Sequence, residues 1–463
     1  LHETSPLIQV PDTTLNDRRC QPTRRRHGVV SHLANSLGRL HSKGIDGGRW
    51  LLWILCLAVA ARLLFVVLFP ADLSLDTSAY DRYAQHVIAG SGYTRFEDRS
   101  ADSDLPPLYP LLLVTIYRLL GRGAVQVAMV QAVLECATIT LLFLIGQEVF
   151  DTSTGLTAAA IYAGYPYMFY QTLTANDTGL FTLLLALAVW LCYRAKRVAR
   201  WPYATGTGAA LGLATLTKPW GALVLPMVGL WWLGSPRWRR ALPLLAGAAL
   251  GWLLVVSPWI ARNTRLHGKL TFVSTNDGSN LYQGNNPCVV DYLRRGWDAQ
   301  WVDCLRTPPE GLDEIALNHW YRQQAFDYLR SHPGDWWELS TVKLGVLWSP
   351  ALAPSRLPPG VTSTGATVRR YYTPAFDLAR WLHLATFTPI LILGLIGAAL
   401  AVMRAKPIGP LLAILVADTL TYVAFHPSTR YRAPADAFLI VLASASMVAL
   451  WRRIGPGLRT HHA

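Results

Sequence analysis

WLLWILCLAVAARLLFVVLF, residues 50–69, is about as long as the ~20 apolar residues a helix needs to cross a bilayer. FTPILILGLIGAALAVM, at 387–403, is a second such run. Backbone exposed to lipid must satisfy its own hydrogen bonds, so repeated runs of this kind point to an all-α polytopic membrane protein. Composition agrees. Of 463 residues, 52% are hydrophobic and only 15% are charged, where a soluble chain carries about a quarter. Lys and Arg outnumber Asp and Glu by 42 to 28, a net charge of +14. The excess lies in short segments flanking apolar runs. That is a topology signal, and no nucleic-acid partner is expected.

Spans are expected near 50–69, 124–148, 155–172, 177–193, 201–217, 219–234, 241–260, 381–403, 408–425 and 434–451. RAKRVAR (194–200), PRWRR (236–240), MRAK (403–406) and WRR (451–453) then fall on one side, which the positive-inside rule makes cytoplasmic. PPLYPLLLVTIYRLL (106–120) breaks the parity and is read as re-entrant or interfacial; the alternative is a true span with one of the later pairs merged, and about ten to eleven transmembrane helices are expected. Residues 1–49 form a basic, polar leader, expected to be disordered, cytoplasmic and followed by a signal anchor at 50–69, not a cleaved signal peptide. The chain begins on Leu1, as a fragment or an unusual start codon would give. Residues 50–260 make an N-terminal membrane module whose first external loop is 70–123; 261–378 is a large extracytoplasmic loop; 379–453 holds the C-terminal spans and 454–463 a cytoplasmic tail. The expected location is the inner cell membrane. Cys288 and Cys304 share the large loop and would pair if it faces an oxidising compartment.

With this threading, the polar residues near span ends gather on the extracytoplasmic face. LSLDTSAYDRYAQHV (73–87) carries Asp76 and Asp81; TANDTG (174–179) carries Asp177; LTKPWG (216–221) carries Lys218. PWIARNTRLHGK (258–269) carries Arg262, and HPSTRYRAP (426–434) carries His426, Arg430 and Arg432. Carboxylates on one wall of a cavity and cations on another suit glycosyl transfer from a lipid-phosphate sugar. A carboxylate base deprotonates the acceptor, and fixed cations meet the charge on the departing phosphate. Each residue also has a plainer reading. Asp76 opens an amphipathic helix lying on the membrane, with Tyr80, Tyr83, Ala84, Val87 and Ile88 on one face. Asp177 is equally a helix cap. Lys218 and Arg262 are equally snorkelling cations, and His426 a loop histidine. Arg430 and Arg432, in an external loop, run against the charge bias, so that account is weaker for them. Metal-type spacing such as His-x-Glu is absent, and no metal or other cofactor is expected.

LDTSAYDRYAQHVIAGSGY (75–93), PPLYP (106–110), GLATLTKPWGALVLP (212–226), SPWIARNTRLHGKLTFVSTNDGSNLYQGNNP (257–287) and TRYRAPADAFL (429–439) occur here in order. Together they resemble the polytopic GT-C glycosyltransferases, specifically the bacterial members related to protein O-mannosyltransferases and lipid A aminoarabinose transferases. The resemblance covers nearly all of 50–453. It implies a GT-C bundle and transfer of one sugar from a polyprenyl phosphate, with inversion, to a lipid, glycan or protein acceptor. It also implies that the first external loop supplies the essential carboxylate, a position Asp76 matches. Two departures stand out: Thr77 where many relatives place a second acid, and Leu105 where the aminoarabinose enzymes place a lysine. The second argues against aminoarabinose as the sugar. Phosphate binding then falls to Lys218, Arg262, Arg430 and Arg432, with Asp81 and Asp177 orienting the acceptor or the sugar hydroxyls. A transporter or flippase for a lipid-linked sugar would use the same cations without a base.

Overall fold

The computed structural model describes residues 46–69, 78–98, 101–234, 236, 238–356, 358 and 374–459. Asp76, nearly all of the leader and the end of the tail lie outside the described residues. The first half runs α1 (Gly47–Leu68), α2 (Ser78–Ala89), α3 (Leu108–Leu120), α4 (Ala124–Val149), α5 (Thr152–Ala163), α6 (Pro166–Leu173), α7 (Thr178–Val198), α8 (Trp201–Thr217), α9 (Gly221–Leu233) and α10 (Leu242–His267). In the polar stretch the described residues form α11 (Asp277–Gly284), α12 (Val289–Arg294), α13 (Glu314–Ser331) and α14 (Asp335–Leu347). The chain returns to apolar helices with α15 (Pro374–Met403), α16 (Gly409–Ala424) and α17 (Thr429–Arg459). No β-strand occurs among the described residues.

Among the described residues, six helical stretches are long and apolar enough to cross a membrane: α1, α4, α7, Trp238–His267, Asp377–Met403 and Thr429–Ile454. α3, α9 and α16 are apolar but shorter. The expected span at 155–172 is broken. Tyr165 is extended, as the residue before a proline prefers, and Pro166 starts α6 on a new axis. The bundle is layered: 78% of the apolar window of α7 and of α17 is buried, against 22% in α1 and 28% in Asp377–Met403. An apolar helix left this exposed is suited to lipid, so α7 and α17 form the centre and α1 and α15 the periphery.

Small residues set the closest helix approaches. A Cβ at Gly208 of α8 would stand 1.8 Å from the Ala248 carbonyl oxygen of α10, and one at Gly397 of α15 would stand 2.0 Å from that of Leu442 in α17. Any side chain there would push the backbones apart. Buried charges do the rest. Arg62, fully buried on α1, donates to the Ala163 carbonyl at 3.2 Å, faces Glu135 at 3.9 Å and lies over the Phe169 ring, pinning α1 to the bundle.

α2 departs from the expected membrane-surface helix. Tyr80, Tyr83 and Ala84 are buried, and Tyr80 and Ala84 pack with Tyr109 and Leu113 of α3. The apolar face is covered by protein because α3 is short enough to fold back beneath it. In the polar stretch, Cys288 and Cys304 form a disulfide beside a small core of Val289, Leu293 and Leu339. Lys343 of α14 donates to Asn285 Oδ1 at 2.9 Å and to the Val423 carbonyl at 3.0 Å, tying this layer to the end of α16.

Candidate active site

Where α2 meets the ends of α7, α8, α16 and α17, beneath α11 and α13, lies a cavity of about 1130 Å³. Its deep wall is organised by Asp177. The residue occupies the cap position of α7, yet its side chain makes no capping bond. Asn176 Oδ1 takes the Thr178 N–H instead, at 2.9 Å. The Asp177 carboxylate is thereby left free to face the cavity. Lys218, one residue beyond α8, places Nζ 2.8 Å from Asp177 Oδ1. Arg430, in the first turn of α17, brings Nη2 to 3.5 Å from the same oxygen. Tyr80 of α2 donates its hydroxyl to Asp177 Oδ2 at 2.9 Å. Of the two readings left open for Asp177, the capping one is therefore excluded by geometry.

Two cations share one carboxylate, so the cluster keeps a net positive charge. Burial alone would raise the Asp177 pKa, but Lys218 and Arg430 together hold it below the ordinary carboxylate value. Burial holds the Lys218 ammonium below its ordinary value against the pull of Asp177. Burial, with Asp177 next to it, pushes the Tyr80 phenol well up, so it stays a donor. Arg430 Nε is buried and has no hydrogen-bond partner among the described residues. Such a cluster can take up a further anion. An aromatic lining surrounds it: Tyr422 and Tyr431 stack at 4.7 Å, and Trp220 Nε1 donates to the Tyr422 hydroxyl at 3.1 Å.

The opposite wall is polar and largely neutral. Asn276, Asn280 and Gln283, spaced to fall on one face of α11, line it with Asn318 of α13. Asp277 there is held by Arg322, at 2.6 Å. Asp298 also lines the cavity; burial raises its pKa against the pull of Arg430. His426 lines it too, but burial first, and then Lys343, pull its pKa down to about 4. It is neutral at physiological pH and offers hydrogen bonds, not charge. Among the described residues, no group of three His, Cys, Asp or Glu side chains is arranged to hold a metal ion.

Asp177, Lys218, His426 and Arg430 thus come together, and three other candidates do not. Asp81 is turned away, receiving Arg122 at 2.7 Å and the Tyr117 hydroxyl at 2.7 Å. Arg262 donates to the Asp102 carbonyl and to Ser103 Oγ, and lies over the Trp259 ring, clamping the loop before α3. Arg432 is fully buried in the bundle, paired with Asp436 at 3.0 Å and donating to the Leu347 carbonyl at 2.7 Å. All three are occupied by the protein itself, so none faces the cavity. Sequence reasoning missed Tyr80, which it assigned to a membrane-facing stripe, and the amide row of α11, whose helical spacing was legible. Nothing in the sequence pointed to Asp298 or Trp220.

Residues 104–261, about a third of the chain, match the family model of the dolichyl-phosphate-mannose-protein mannosyltransferases. No curated protein sequence matches the chain. Among solved structures, the oligosaccharyltransferase of Archaeoglobus fulgidus in its apo form is similar over 89% of this chain and 52% of its own, with 13% identity and a TM-score of 0.53. AglB from the same organism, in complex with an inhibitory peptide and a dolichol-phosphate, is similar over the same shares, with 13% identity and a TM-score of 0.51. ArnT from Cupriavidus metallidurans bound to undecaprenyl phosphate is similar over 88% of this chain and 80% of its own, with 16% identity and a TM-score of 0.42. The chain spans about half the length of the archaeal enzyme. The fold is the all-helical, polytopic GT-C-like one, and the similarity to the mannosyltransferase family model is confined to 104–261.

Proposed function

We propose that this protein moves a sugar from a polyprenyl-phosphate donor to an acceptor hydroxyl, with inversion, on the extracytoplasmic face of the inner membrane. The observation that carries the reading is the Asp177–Lys218–Arg430 cluster. Its two cations, Lys218 buried and Arg430 partly so, share one carboxylate, and a guanidinium N–H is left over. The donor phosphate sits against Lys218 and Arg430, while Asp177 and Tyr80 hold these cations in place. The dolichol-phosphate of the archaeal complex is a ligand of the same chemical kind.

Asp76 is the base. It takes the proton of the acceptor hydroxyl as that oxygen attacks the anomeric carbon. The bond from that carbon to the phosphate oxygen breaks, and polyprenyl phosphate leaves with its charge met by the two cations. Three residues further on, Ala79 lines the cavity. The polar wall of α11 and α13 receives the acceptor. Under this reading 261–378 is extracytoplasmic.

The test is transfer by the purified full chain in lipid nanodiscs, with a polyprenyl-phosphate sugar as donor. Asp76→Asn should lower the rate by about 100-fold to 10,000-fold, the usual contribution of a general base, and leave donor binding intact. Full activity in Asp76→Asn removes the base assignment. Sugar movement across the bilayer without bond cleavage, unaffected by the substitution, identifies a transporter instead.

A further inference from the structure

A second cavity, of about 300 Å³, lies far from the first. Arg430 and Arg452 stand near the two ends of the stretch Thr429–Ile454. Their separation of 22 residues along one helix is about 33 Å. The second cavity is bounded by α15, α17 and the turn into α5. Gly397, Leu400 and Ala401 face it from α15, with Arg404 in the turn just past that helix, and Ala445, Val448, Ala449 and Arg452 face it from α17 at helical spacing. The small side chains leave the space, and the cations close its rim.

That rim is unusual in its charge balance. Arg452 donates to Asp151 at 2.7 Å, and Asp151 also caps α5 by accepting from the Thr154 N–H at 2.8 Å. Arg404 and Lys406 line the same cavity, and neither has an ion-pair partner among the described residues. Three cations thus meet one carboxylate that is already engaged. The chain turns sharply to bring them there. Ala405 lies at φ 49°, in the left-handed region, and the Lys406 N–H donates back to the Ala401 carbonyl at 2.9 Å. A non-glycine residue in that region costs about 1 kcal/mol. Without that turn Lys406 would leave along the helix axis.

The outer surface beside the cavity is apolar and exposed. Val402 and Met403 on α15 are exposed, as are Leu450 and Trp451 on α17. Trp at such a level marks the membrane interface. A positive cleft opening onto an apolar, lipid-facing wall matches one kind of ligand, an anion carrying hydrocarbon chains.

We infer that this cleft binds the phosphodiester headgroup of an anionic phospholipid, with Arg404 and Lys406 on the phosphate and the acyl chains along α15 and α17. In the threading above, the lipid belongs to the cytoplasmic leaflet. The site is separate from the donor cavity and does not depend on the proposed transfer activity. A lipid here would brace α15 against α17, two helices that meet tightly at Gly394 and Gly397 and leave a cleft beyond them.

The experiment uses the full chain in phosphatidylcholine nanodiscs, titrated with phosphatidylglycerol and read by native mass spectrometry and by thermal midpoint. Phosphatidylglycerol should bind at a discrete stoichiometry and raise the midpoint. Arg404→Gln with Lys406→Gln should weaken that binding by about tenfold or more, each cation near the surface contributing comparably. Arg239→Gln with Arg240→Gln, a basic pair outside the cleft, should leave it within about twofold; equal loss in this control means diffuse attraction and overturns the site. Stabilisation by inorganic phosphate to the same extent overturns the lipid assignment in favour of a free anion. Unchanged phosphatidylglycerol binding in the Arg404/Lys406 variant overturns the inference outright. The transfer assay and Asp76→Asn supply an independent readout, so failure here and failure of the proposed activity are distinguishable.

Discussion

Replacing Asp177 by Asn tests the anion cluster directly. Lys218 and Arg430 both reach the same oxygen, Oδ1, at 2.8 and 3.5 Å. The two cations therefore stand no more than about 6 Å apart. Their repulsion, about 3 kcal/mol at an effective dielectric of about 20, exists in both proteins but is offset by Asp177 only in the parent; removing one partner from such a buried group costs about 3–5 kcal/mol. Asp177→Asn should be destabilised by about this amount in detergent unfolding at neutral pH. The loss should shrink as pH rises. Burial already holds the Lys218 pKa down, and losing Asp177 lowers it further. The unfolded chain then binds a proton that the folded chain has released, so stability rises with pH. Asp177→Asn with Lys218→Met should recover most of the stability, because one buried cation is removed along with the carboxylate. Polyprenyl phosphate should stabilise Asp177→Asn more than the unsubstituted protein, since it returns negative charge to two unpaired cations. Equal stabilisation of the two proteins, or an Asp177→Asn variant as stable as the parent, would refute the reasoning.

Asp81→Asn should weaken the bonds from Arg122 and Tyr117 and cost about 1–2 kcal/mol of stability, while the donor KM stays within about twofold; a selective rise in KM would return Asp81 to the site. Burial pulls the Lys343 pKa down from 10.5 to about 7. Between those values the unfolded chain holds a proton that the folded chain lacks, so this residue makes stability rise with pH across that window. Lys343→Met should flatten that part of the dependence in thermal midpoints taken at pH 7 and pH 9; an unchanged slope would assign it to other groups.

The apolar run at 50–69 announced a membrane-crossing helix, and hydrophobic length alone was enough for that. Asp177, Lys218, His426 and Arg430 were found because charge near span ends is costly and so conspicuous. Asp81, Arg262 and Arg432 looked the same in sequence. What separates them is the partner each one meets, and those partners lie 41, 159 and 85 residues away for Arg122, Ser103 and Leu347. The break at Tyr165 was legible in principle, because the residue before a proline resists helix.

The sequence by itself determined that this chain is helical and spans a membrane, since those properties follow from the run lengths and from where its charges can be tolerated. It also determined the short list of residues able to bind an anion. Only the tertiary structure decided which of them stand together at one cavity. It turned Asp177 from cap to counter-ion by giving its capping bond to Asn176, and it turned Tyr80 inward by laying α3 beneath α2. The reason is physical: the cost of burying a charge is a property of one residue, whereas its compensation is a property of a neighbour that only folding supplies.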